Sequence, residues 1–187
     1  LGLLLSYPAG RGEILLGKFA AHLAALTIAM TVGFGSAGAI AAYMGGAGLE
    51  SVFALLRLIG TSVLLGGVFL TLGYMVSSLA KSATSAAGMA AGLWLIFVVL
   101  YDLGLLGAVV MDSGGWFTET LFPWLMVANP ADAFRLWNIA SSESVALASG
   151  MVGAASALPS WAAPLSLAIW PLLGFAFARL AFRRVEP

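Results

Sequence analysis

The 187 residues include no cysteine and a single histidine, His22. Without thiols there is no disulfide, Fe–S cluster, thiolate metal site or cysteine nucleophile. One imidazole cannot supply the second and third ligands that a metal centre needs. Charge is equally scarce, with eight Lys and Arg against eight Asp and Glu, a net charge of zero and 9% of the chain ionisable in this way. An average soluble domain is about 25% charged, so water is an unsuitable solvent for this chain. No basic run exceeds Arg183-Arg184, and a nucleic-acid role lacks its electrostatic footprint. There is no G-x-x-x-x-G-K-[ST] loop to cradle nucleotide phosphates, so any ATP-driven step belongs to another subunit. The chain opens at Leu1 with no Met and no basic stretch ahead of an apolar core, unlike a signal peptide, and is expected to be part of a longer protein.

Apolar residues fill the space that charge leaves: 61% of the chain, with mean hydropathy +1.04. About 20 such residues in helix cross the hydrocarbon core of a bilayer. Four stretches qualify, at 19–44, 52–80, 86–111 and 159–182, the last interrupted by Pro159, Pro164 and Pro171. The expected fold is all-α, one membrane domain over 1–187 with four transmembrane helices. No internal repeat or linker divides it. Short cytoplasmic loops collect Lys and Arg. Arg11, Lys18, Lys81, Arg179, Arg183 and Arg184 fall on one side of this arrangement, and Arg57 and Arg135 on or toward the other. Both ends of the segment are therefore expected in the cytoplasm.

Between the third and fourth spans, 112–158 reads as an external segment carrying Trp116, Trp124 and Trp137, the residue type that favours the membrane interface. Asn129-Pro130-Ala131-Asp132 has the form of a helix start: an Asn cap, Pro at the first position and an acid near the positive end of the dipole. Ala133, Phe134 and Trp137 follow at helical spacing, so a short helix lying on the outer leaflet is expected. The Ser/Ala/Gly-rich stretch 141–157 either extends the fourth span or forms a second external helix.

Small residues are dense within the spans, at Gly33, Gly35, Gly38, Gly60, Gly66 and Gly67, and Gly88 and Gly92 have GxxxG spacing. In lipid, small side chains let helices approach closely. Contact inside one bundle is the ordinary reading, and a subunit interface is the alternative. The seven Met residues are scattered and read as core or interface fillers, giving no basis for copper ligation.

Asp102 is the costly residue, on the order of 12 Å inside the third span, where an Asp costs about 2.5 to 3.5 kcal/mol. Arg57, just inside the outer end of the second span, is the expected partner. The alternative is that Arg57 snorkels toward Glu50 while Asp102 is protonated or faces water. Tyr101-Asp102 is similar to the first aspartate motif of presenilin-like proteases, but no second membrane aspartate completes a dyad, and His22 has no serine partner. No enzymatic centre is expected.

The leading segment 1–18, LGLLLSYPAGRGEILLGK, must turn at Ser6-Tyr7-Pro8-Ala9-Gly10 before Arg11-Gly12-Glu13 opens the next helix. It is either an ordinary amphipathic entry to the first span or a cytoplasmic elbow that docks a partner. Leu3-Leu4-Leu5-Ser6-Tyr7-Pro8, with Arg11-Gly12-Glu13-Ile14-Leu15-Leu16-Gly17-Lys18-Phe19, resembles the signature of ABC-2 type transporter permeases. Within that family, Phe122-Pro123-Trp124-Leu125 and Ala128-Asn129-Pro130-Ala131-Asp132-Ala133-Phe134-Arg135-Leu136 resemble the branch that serves nitrous oxide reductase maturation.

The resemblance implies helices three to six of a six-helix permease in the bacterial inner membrane, working as a homodimer with a cytoplasmic ABC ATPase subunit and a periplasmic protein. It implies an ATPase-coupling elbow of Tyr7, Pro8, Arg11, Glu13 and Lys18, and a periplasmic partner surface of Asn129, Pro130, Asp132, Phe134 and Arg135. It further implies movement of a sulfur-containing or related cargo, or help with copper handling, for a copper–sulfur centre. A membrane scaffold that anchors a maturation complex without transport, or an exporter of another substrate, remains the alternative. No cofactor is expected in this chain.

Overall fold

A computed structural model describes residues 11–45, 48–139 and 157–182. Helix α1 runs Arg11–Gly45 and α2 runs Leu49–Leu79. After an extended Ala80, the Ser82 hydroxyl caps the next helix by accepting the Ser85 N–H at 3.1 Å. That helix is α3 (Ala83–Leu95), a π turn (Ile96–Leu100) and α4 (Tyr101–Asp112) in unbroken succession. A second π turn (Phe117–Leu121), α5 (Phe122–Ala128), α6 (Pro130–Ile139) and α7 (Ala162–Phe182) complete the described elements. All are helical.

Three helices are long and apolar enough to cross a membrane: Gly12–Gly45, Leu49–Leu79 and Ala83–Asp112. They coincide with the first three expected spans, each starting three to seven residues earlier than anticipated and ending within one residue of the anticipated end. The fourth expected span contains α7, which begins in the turn after Pro159 and continues through Pro164 and Pro171. Neighbouring helices can re-satisfy backbone groups that an internal proline frees in a membrane bundle.

Helices α1 and α2 run antiparallel. A Cβ on Gly38 would strike the Leu55 side chain, and one on Gly66 the Leu26 side chain, so the glycines admit leucines from the facing helix. Near the basic end, His22 Nδ1 lies 2.8 Å from the Lys18 carbonyl oxygen and 2.5 Å from the Tyr74 hydroxyl. Phe19 meets Phe175 edge to face at 6.0 Å, which brings α7 to the same end. Helix α2 also approaches α7 closely, where a Cβ on Gly174 would collide with the fully buried Thr71. Gly88 and Gly92 meet nothing within 4 Å, so their GxxxG face makes no close contact within the described residues.

Arg11 through Lys18 continue straight into α1, without a break that would set them off as a separate elbow. Tyr7 and Pro8, and most of the ambiguous stretch 141–157, lie outside the described residues.

Candidate functional site

The Ala83–Asp112 helix ends in a tight turn. Ser113 and Gly114 adopt left-handed φ values of 50° and 84°, a region that glycine enters without steric cost. A Cβ on Gly115 would lie 2.7 Å from Asp112 Oδ1. Asp112 Oδ2 accepts the Thr118 N–H at 2.8 Å, so one side chain closes the turn and starts the next helix.

From that turn the chain re-enters the bundle. The second π turn and α5 descend to Asn129, and α6 returns, packing against α2, α7 and the first π turn. Asn129 Nδ2 donates to the Phe97 carbonyl at 2.7 Å. Phe97 stands at the midpoint of the Ala83–Asp112 helix, roughly 22 Å from its Asp112 end at 1.5 Å per residue. The hairpin tip therefore lies level with the middle of that helix.

The helix start expected at Asn129 is present, since its Oδ1 accepts the Ala131 N–H at 2.9 Å. Its location is not the expected one. Asn129 and Asp132 are each 1% exposed, Pro130 is fully buried, and only Phe134 and Arg135 are half-buried. An outer-leaflet helix and a five-residue partner surface are both replaced by an interior hairpin. The cause is the apolar side of α6: Ala131, Ala133 and Leu136 are buried against its neighbours, and the small alanines permit close approach.

A helix that ends inside a membrane leaves carbonyls without intrahelical partners or water. Two surrounding helices, α4 and α7, supply three donors. Tyr101 Oη donates to the Leu125 carbonyl at 2.7 Å, Ser166 Oγ to that of Val127 at 2.5 Å, and Trp170 Nε1 to that of Ala128 at 3.0 Å. Trp170 also meets Phe97 edge to face at 5.3 Å. On α6, Asn138 Nδ2 donates to Thr61 Oγ1 at 3.0 Å, joining the hairpin to α2.

Asp102 has a partner, but not Arg57. Arg135 Nη1 donates to Asp102 Oδ2 and, at 2.7 Å, to Asp132 Oδ1, while Nη2 donates to the Val98 carbonyl at 3.3 Å. Arg135 sits on the hairpin arm that packs against the first π turn, and so reaches Asp102 directly. Arg57 keeps its Nε buried without a hydrogen-bond partner, and Asp132 Oδ2 is likewise buried and unpartnered. Glu13 and Lys18 stand exposed on the first two turns of α1.

Ser166, Trp170, Thr61 and Asn138 escaped the sequence reading, and Tyr101 entered it only beside Asp102. The one signal that pointed toward them was the Asn129-Pro130 break, which must leave α5 with orphan carbonyls wherever it is buried.

The model for the ABC-2 family transporter protein matches residues 1–186. A probable ABC transporter permease protein NosY from Pseudomonas aeruginosa is 45% identical over 188 residues, covering 97% of this chain and 67% of the relative. The protein of the same name from Stutzerimonas stutzeri is 43% identical, covering 98% and 68%. With helices long and apolar enough for several crossings and a family match through almost its whole length, the chain belongs to the ABC-2 family of transporter permeases and is NosY-like.

Proposed function

We propose that this chain is the membrane-spanning permease of an ATP-driven transporter in the bacterial inner membrane. It supports assembly of the copper–sulfur centre of nitrous oxide reductase by moving a sulfur-containing or related cargo. The observation that carries the reading is the likeness to two NosY permeases through almost the entire chain. Three helices long and apolar enough to cross a membrane and the shorter apolar helix Ala162–Ala178 support it; in this reading α7 makes a fourth crossing and both ends of the segment lie in the cytoplasm. ATP is hydrolysed by a separate NosF-like subunit, and a NosD-like protein works on the periplasmic side of a permease homodimer.

Glu13 and Lys18 support a coupling role for the leading segment, because they are charged, exposed and built into the first turns of α1. A load on that end is carried along one continuous helix. Tyr7, Pro8 and Arg11 belong to the same proposal. The burial of Asn129, Pro130 and Asp132 limits any periplasmic contact of the hairpin to Phe134, Arg135 and the outer turns around it.

The test is charge reversal at Arg11 or Glu13 in the permease co-purified with its ATPase. Loss of transporter-stimulated ATP hydrolysis, with the complex still assembled, is expected. Unchanged hydrolysis and unchanged reductase maturation would sink the coupling assignment. A scaffold that only anchors the complex predicts that an ATPase-dead partner still permits maturation.

A further inference from the structure

The first π turn and the hairpin meet at one level of the bundle. A π turn holds one residue more than an α turn and occurs mostly as a single turn inside an α-helix, frequently at functional sites. Within it the Tyr101 N–H bonds the Ile96 carbonyl, five residues back, and the carbonyls of Phe97 and Val98 accept donors from the hairpin, Asn129 Nδ2 and Arg135 Nη2. Next to the turn, Tyr101 donates to the hairpin carbonyl of Leu125, and Asp102 accepts from Arg135. Beyond the π turn itself, α4 packs chiefly against the second π turn, the start of the hairpin. Its outer surface is exposed at Leu103, Leu106 and Val110. The inner half, α3, packs instead against α2.

One long helix is thus held by two different neighbours, with the π turn at the boundary. We propose that the hairpin is the latch of this π turn, and that releasing Asn129 and Arg135 lets the extra residue relax into α geometry. An α-helix advances about 100° and 1.5 Å per residue. Relaxation therefore turns the outer half, Tyr101–Asp112, by about one residue's rotation relative to the inner half, Ala83–Leu95. The device converts a small movement of the hairpin into rotation of half a membrane helix. It stands on the hairpin geometry alone and does not depend on the cargo or the ATPase.

The 187 residues hold no cysteine, so introduced pairs are the only thiol labelling sites within them. Spin labels at Tyr43→Cys and Leu106→Cys report the outer half, and labels at Leu16→Cys and Met89→Cys the inner half. The protein is studied reconstituted in nanodiscs. Asn129→Ser keeps a capping oxygen for Ala131 but is too short to reach Phe97. Arg135→Lys keeps a cation beside Asp102 and loses the second nitrogen at Val98. Each variant is expected to shift the outer distance by up to about 8 Å, the arc of a helix surface turned through one residue, with the inner distance unchanged. An outer distance unmoved in the variants that fold, or both distances moving together, overturns the latch. If Asn129→Ser does not fold, Arg135→Lys decides.

Discussion

Arg135 Nη1 bridges Asp102, on the third long helix, and Asp132, one turn before it on the hairpin. One guanidinium thus serves two carboxylates, of which Asp132 is buried, while the Arg135 and Asp102 side chains are 35% and 37% exposed. Breaking a fully buried pair costs about 3 to 5 kcal/mol, and solvent exposure lowers that figure. Arg135→Gln is expected to destabilise by less than this range, and adding Asp102→Asn is expected to recover part of that loss. Reversible unfolding in mixed detergent micelles measures both. A double variant no more stable than Arg135→Gln contradicts the pairing, and exchanging the charges of Arg57 and Asp102 is expected to rescue nothing.

Trp170→Phe keeps a ring against Phe97 and deletes only the donor to the Ala128 carbonyl. A buried carbonyl left unsatisfied costs about 1 to 3 kcal/mol. Val127 is buried and Ala128 exposed, so the same unfolding measurement is expected to give a loss in that range for Ser166→Ala and a smaller one for Trp170→Phe. Losses near zero for both indicate that water reaches the end of α5.

Gly174→Ala and Gly88→Ala separate close packing from open surface. An added methyl at Gly174 meets the buried, hydrogen-bonded Thr71, and overpacking of this kind costs about 1 to 3 kcal/mol. At Gly88 the methyl meets nothing in the described structure, and helix propensity favours Ala by up to about 1 kcal/mol. Thermal stability in detergent is expected to fall for the first and hold or rise for the second. If Gly88→Ala instead changes the oligomeric state on gel filtration with light scattering, the GxxxG face belongs to a subunit interface.

Gly115→Val tests the turn that sends the chain back into the bundle. Its side chain collides with Asp112, whose Oδ2 holds the Thr118 N–H. The hairpin is then expected to dock less firmly, read as faster maleimide labelling of a cysteine introduced at the half-buried Phe134. Labelling as slow as in the parent places the control of docking at the hairpin tip.

Local features were legible because their causes are local. Apolar length marked three long helices. Asn129-Pro130 marked a capped helix start. The errors lie where direction in space matters. A short helix rich in alanine with an Asn cap and one Arg can lie on a membrane surface or fold into a bundle, and its own residues allow both.

By itself, then, the sequence determined an all-helical chain made for lipid, the ends of its elements, and the fact that Asp102 must find compensation. Only the tertiary structure decided that the compensation is Arg135, and that Asn129, Pro130 and Asp132 lie inside. The physical reason is that a buried polar group is satisfied by whichever donor the packing brings within about 3 Å. Here that donor arrives on a hairpin held by the bonds that Tyr101, Ser166 and Trp170 make across it, from helices distant in the chain.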